Sequence, residues 1–117
     1  MRNTIKSLIV SCAAITAIAM SGSIFAQSSS GQIYVNRMST GWGTDSFGIS
    51  TSGNTAVNPA GCSNTDLYSI DGTDPGYKTF YAAALTAYTN GTPVEVIISN
   101  QNCRQGRPMI LGISLLK

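Results

Sequence analysis

Residues Asp74–Val96 read DPGYKTFYAAALTAYTNGTPVEV, and the elements on either side must be arranged around this stretch. Asp74 is a helix-capping residue type, Pro75 suits a first helical position where an N–H has no partner, and Asn90-Gly91 supplies a left-handed stop. Tyr77, Phe80, Tyr81, Ala84, Leu85 and Tyr88 recur at spacings of three and four, which predicts one amphipathic helix of about four turns. The alanines at 82–84 and 87 allow close approach to a sheet. Thr92-Pro93 ends the helix, and PVEVIIS begins a strand.

Working outward, QIYVNRM at 32–38 alternates, with Ile33, Val35 and Arg37 on one face and Tyr34, Asn36 and Met38 on the other. SFGIST at 46–51 alternates through Phe47, Ile49 and Thr51, and DLYSI at 66–70 reads as a short third strand. After the helix, Val94, Val96 and Ile98 share one face of a strand at 93–99, and Met109, Leu111, Ile113 and Leu115 share one face of another at 109–116. Gln27–Gly31 is Ser-rich and reads as a flexible lead-in, Gly53–Thr65 as a long polar connection, and NQNCRQGRP as a loop. The fold class is mainly β with one helix, in the order β-β-β-α-β-β. That is the connectivity of a small five-stranded OB-like barrel, and an open sheet with the helix across one face uses the same elements.

Residues 1–26 read as a signal peptide: Arg2 and Lys6, an apolar run from Leu8 to Met20, and small residues before Gln27. Cleavage after Ser23 and lipidation at Cys12 are minor alternatives. Residues 27–117 then form a single small domain. Its basic residues, Arg37, Lys78, Arg104, Arg107 and Lys117, balance Asp45, Asp66, Asp71, Asp74 and Glu95, which removes the electrostatic case for nucleic acid or an anionic membrane as partner. Of three cysteines, Cys12 leaves with the signal, so Cys62 and Cys103 are expected to pair in an oxidising compartment.

Catalytic patterns are missing from the sequence. There is no histidine, no Ser-x-x-Lys or Gly-x-Ser-x-Gly, and no phosphate-binding loop, and nothing implies a metal or other cofactor. Asp66, Asp71 and Asp74 sit at element ends and read as turn caps rather than a carboxylate pair. Trp42, between Gly41 and Gly43, either offers a flat face to a sugar or protein groove or folds back as a lid. Arg104 and Arg107, with Gln101, Asn102 and Gln105, are donors suited to holding a carboxylate bidentately, unless they are solvated or brace a neighbouring subunit.

YKTFYAAALTAYTNGTPVEVII followed by GRPMILGISLL resembles the binding subunits of AB5 toxins of the subtilase cytotoxin and pertussis-like type. The chain is also similar to small exported proteins of Gram-negative bacteria that share the leader, the cysteine span and the last strand. The toxin resemblance implies an OB-fold, assembly into a ring of five and binding of cell-surface glycans, with Ser30 aligned to a serine that contacts sialic acid. The family's cysteine in the second strand has no counterpart at Phe47-Gly48-Ile49. The expectation is therefore a secreted or periplasmic non-catalytic binding module of the glycan-binding kind that the resemblance implies, with Ser30, Trp42, Arg104 and Arg107 as candidate contacts. The alternative is a small exported inhibitor or envelope protein that engages a partner protein through its loops.

Overall fold

Strand-forming residues lie on both sides of the predicted helix, and they form more strands than the alternation suggests. The computed structural model describes residues 26–41, 43–51 and 55–117. It holds β1 (Gln27–Ile33), β2 (Val35–Thr40), β3 (Ser46–Thr51), β4 (Tyr68–Asp71), α1 (Tyr77–Asn90), β5 (Val94–Arg104) and β6 (Arg107–Leu115). The expected signal peptide falls outside the described residues except for Ala26, and so does Trp42.

The fold is mainly β with one helix, but the sheet has six strands rather than five, in the order β1-β5-β6-β4-β3-β2. Neighbours are antiparallel except β4 and β6. No ladder joins β1 to β2, so the sheet is open and is not a closed barrel. These two end strands are nevertheless consecutive in the chain, with Tyr34 alone between them. The sheet must curl to bring both its ends to that residue, and its inward side chains enclose one core. Val35, Phe47, Ile49, Tyr68, Ile70, Val94, Val96, Ile98 and Ile110 belong to that core, with Ile33 and Met38 packed against it.

The sixth strand comes from the segment expected to be a flexible lead-in. Serines replace apolar alternation as its anchor: Ser28 Oγ donates to Asn100 Oδ1 at 2.6 Å, and Ser29 Oγ donates to Glu95 Oε1. Between Ser29 and Gln32 the register slips, and Ser30 Oγ there accepts the Val96 N–H at 2.9 Å. A second slip, between Val35 and Arg37, turns Arg37 outward and Met38 inward, reversing the faces expected from simple alternation. A slip between Ile97 and Ile98 does the same to β6: Pro108, Met109 and Ile110 are buried in succession, whereas Leu111 and Leu115 are exposed. The expected loop at 100–108 is instead the arm of a hairpin, closed by a two-residue turn at Gln105 (φ 52°) and Gly106 (φ 72°).

α1 stops where expected, with Gly91 left-handed and its N–H on the Ala87 carbonyl. Its start is two residues beyond the expected cap. Gly76, at φ 82°, is the N-cap, and Asp74 does not cap the helix, because its carboxylate is drawn away to the Asp71 N–H and the Arg104 guanidinium. The helix packs over β2 and β6. Tyr77, Phe80, Tyr81, Ala84 and Ala87 face the sheet, and the Tyr77 and Tyr81 rings each lie 5.5 Å from that of Phe47. Leu85 and Tyr88, expected in the same stripe, are exposed instead.

The two halves of the sheet meet at a thin seam. β4 and β6 share a single bridge, Ser69 with Met109, and the hairpin tip that continues β6 reinforces it. Cys103 is bonded to Cys62, with Cα atoms 5.8 Å apart, as the cysteine count predicts. Asn64 N–H donates to the Gly106 carbonyl at 2.8 Å, and Asn58 holds both the N–H and the carbonyl of Cys62. This disulfide fits an oxidising, non-cytoplasmic environment.

Two stability predictions follow from this geometry. A Cβ on Gly76 would lie 2.5 Å from Phe80 Cζ in a left-handed conformation. Gly76→Ala should therefore cost about 2 kcal/mol and lower the melting temperature by roughly 10 °C, as read by circular dichroism. Replacing Cys62 and Cys103 together by Ser should lower the urea-unfolding free energy by about 2–4 kcal/mol, and an unchanged urea midpoint would show that the bridge adds nothing to the seam.

Candidate functional site

The two arginines expected as ligand contacts are both engaged by carboxylates of the chain itself. Arg104 closes a bidentate pair on Asp74, Nε to Oδ2 and Nη2 to Oδ1 each at 2.7 Å, and donates through Nη1 to the Cys103 carbonyl. Asp71 lies 3.8 Å from the same guanidinium. Arg107 holds Asp66 in a second bidentate pair, at 2.7 and 3.1 Å. The sequence reading of these aspartates as turn caps is right for Asp74 only in part: it accepts the Asp71 N–H, but its main partner comes from the far end of the chain. Ser30 also has internal partners, accepting from Val96 and donating to the Gly31 carbonyl.

Around Arg107 lies an open polar hollow of about 620 Å³, lined by Thr51, Thr55, Ser63, Asn64, Thr65 and Asp66. Two of its sides, the 63–66 segment and the hairpin tip at Arg107, belong to the stretches that the disulfide ties together. It is rich in hydroxyls and poor in apolar surface.

A second concavity, of about 400 Å³, lies between α1 and the chain joining β2 to β3. Thr40, Gly41, Asp45 and Ser46 form one wall, and Tyr77, Lys78 and Tyr81 form the other. The base of the 41–46 loop is closed by the Gly41 N–H on the Ser46 carbonyl at 2.9 Å and by the Ser46 hydroxyl on the Gly41 carbonyl. Asp45 is fixed twice. Its carbonyl accepts the Gly72 N–H, and its carboxylate accepts the Tyr77 hydroxyl at 2.7 Å. Burial, then the hydrogen bond to Asp45, push the Tyr77 phenol up to about 12, so it stays a donor through the physiological range.

Sequence reasoning placed Tyr77 and Tyr81 in a packing stripe and gave Asp45 no role. The cleft has no local signature, because it exists only where the helix N-terminal turn meets a loop some thirty residues earlier in the chain. Among the described residues no group of three or more Cys, Asp or Glu side chains is placed to hold a metal, and no helix is long and apolar enough to cross a membrane.

The internal pairs set an acid limit on stability. The Arg104 hydrogen bond holds Asp74 below its usual value of 3.8, and Arg107 does the same for Asp66. A carboxyl depressed on folding stabilises the native state above its unfolded pKa, and that contribution is lost as pH falls through the lower, folded value. The urea midpoint should thus decline as pH drops from about 5 towards 2, with a shallower decline in Asp74→Asn. Because the Asp74 side chain is only 7 % exposed, that variant should also lose about 2 kcal/mol at neutral pH. A variant that matches wild type at both pH values would show that the pair contributes nothing.

No protein-family model, curated protein or solved structure matches this chain.

Proposed function

We propose that this chain is an exported, non-catalytic binding module that recognises a glycan. The observation that carries the reading is the cleft between α1 and the 41–46 loop, where two tyrosines stand opposite a carboxylate already held in place. Aromatic rings with polar tips suit ligands that are apolar on one face and hydroxylated at the edge. Trp42 follows Gly41 in the chain and remains a candidate contact.

Strand connectivity supports the same reading. Taking β1 and β2 as halves of one bent strand turns the six-strand order into the OB-type path, a fold that binds oligosaccharides through the loop between its first two strands and that between its last two. Here those loops are 41–45 and the Gln105-Gly106 turn. With no histidine in the sequence, the usual partner of a nucleophile is missing, which favours binding over catalysis. The ring of five that the toxin resemblance implies belongs to this proposal, and the outer edges of β1 and β2, unpaired among the described residues, are suited to self-association.

The expected result is retention of the protein on a glycan array, lost in Trp42→Ala. Absence of binding to any glycan at millimolar concentration overturns the reading. A second reading, an exported inhibitor that engages a partner enzyme, is favoured by the disulfide-held 55–66 connection, since a pre-ordered loop loses little entropy on docking. A stoichiometric complex with an identified periplasmic enzyme, with loss of that enzyme's activity, distinguishes it.

A further inference from the structure

Of the carboxylates in the domain, Asp66, Asp71 and Asp74 face arginines, and Glu95 accepts from Ser29. Asp45 differs. Among the described residues its side-chain partner is a phenol rather than a cation, it is exposed, and it lines the cleft. Its position is fixed from two directions, by the Gly72 N–H on its carbonyl and by the Tyr77 hydroxyl on its carboxylate. A carboxylate has about four acceptor sites, and one hydroxyl fills one of them. The rest are pre-aimed acceptors in a cleft whose other side chains are aromatic, hydroxylated and, at Lys78, cationic.

We infer that this cleft takes a neutral, hydroxyl-rich sugar ring, with Asp45 as its hydrogen-bond acceptor, Tyr81 as its apolar platform and Tyr77 as the residue that positions Asp45. The inference rests on the glycan-binding reading and names the class of glycan. Three observations favour a neutral ring over an acidic one. The cleft carries one negative and one positive side chain, Asp45 and Lys78, so no net charge draws in an anion. An acidic sugar would bring its own carboxylate up to Asp45. The two guanidiniums suited to receiving it, Arg104 and Arg107, are already closed on Asp74 and Asp66. A cleft of about 400 Å³ is at the small end of ligand sites and suits a short saccharide.

The test is an array of galactose-, glucose- and mannose-terminated oligosaccharides printed beside sialylated counterparts, probed with wild type, Asp45→Asn, Tyr77→Phe, their double variant and Lys78→Ala. Wild type should be retained on the neutral set. Asp45→Asn should weaken binding about tenfold or more, as expected for losing a charge-assisted acceptor. Tyr77→Phe keeps the ring against Phe47, so its melting temperature reports the fold separately. Its loss of affinity should be clear alone and vanish in the Asp45→Asn background, a non-additivity that a purely structural tyrosine would not give. Lys78 is exposed and has no ion pair among the described residues, so Lys78→Ala tests the cleft with the fold intact and should weaken binding several-fold. Retention on sialylated glycans alone, unchanged by these variants, overturns the inference and leaves the glycan reading standing. Retention on neither set overturns the glycan reading itself.

Discussion

The curled sheet of this protein depends on five consecutive residues at one hairpin tip, Cys103 to Arg107. β4 and β6 share one bridge, so the backbone alone joins β1, β5 and β6 to β4, β3 and β2 only weakly at this seam. The tip adds a tie at every residue. Cys103 is bonded to Cys62, Arg104 pairs with Asp74, Gln105 donates to Asp71, the Gly106 carbonyl accepts from Asn64, and Arg107 pairs with Asp66. All of these partners lie between positions 62 and 74, so one short turn fixes the polar connection, β4 and the approach to α1 together. The turn needs two consecutive positive φ angles, one of them on Gln105, whose side chain also makes one of the ties.

That arrangement determines which charged groups are paired within the chain. Two guanidiniums that look like ligand contacts in isolation are consumed in holding the seam, and the carboxylates they meet are neutralised with them. Asp45 lies at the other side of the 71–74 turn, where Gly72 clamps its backbone and α1 brings Tyr77 to its side chain. The same helix that covers the core thereby builds one wall of the cleft. The carboxylates that hold the seam and the one that lines the cleft are different groups, and the division follows from where the hairpin tip lands.

Much of the architecture was legible from local pattern. The helix stop at Asn90-Gly91, the fully buried face of Val94, Val96 and Ile98, and the cysteine pair are all present as read. The errors in which face of a strand turns inward share a cause. The register slips at 35–37 and 97–98 exchange the two faces of a strand, and alternation cannot show where an extra residue will be accommodated by the partner strand. Likewise Gln27–Gly31 has no apolar pattern, and its serines become strand-forming only when β5 supplies Asn100, Glu95 and the Val96 N–H.

By itself the sequence determined the single helix, most of the strands and, once residues 1–26 are set aside as an expected leader, the pairing of Cys62 with Cys103. These follow from neighbours within a few positions or from a count that admits one answer. The tertiary structure alone decided that Asp74 serves Arg104 rather than the helix, that the sheet stays open with Tyr34 between its two ends, and that Asp45 meets Tyr77. Each of those outcomes is a choice among distant partners of similar chemistry, and only the path of the folded chain brings one within hydrogen-bonding distance and leaves the others out of reach.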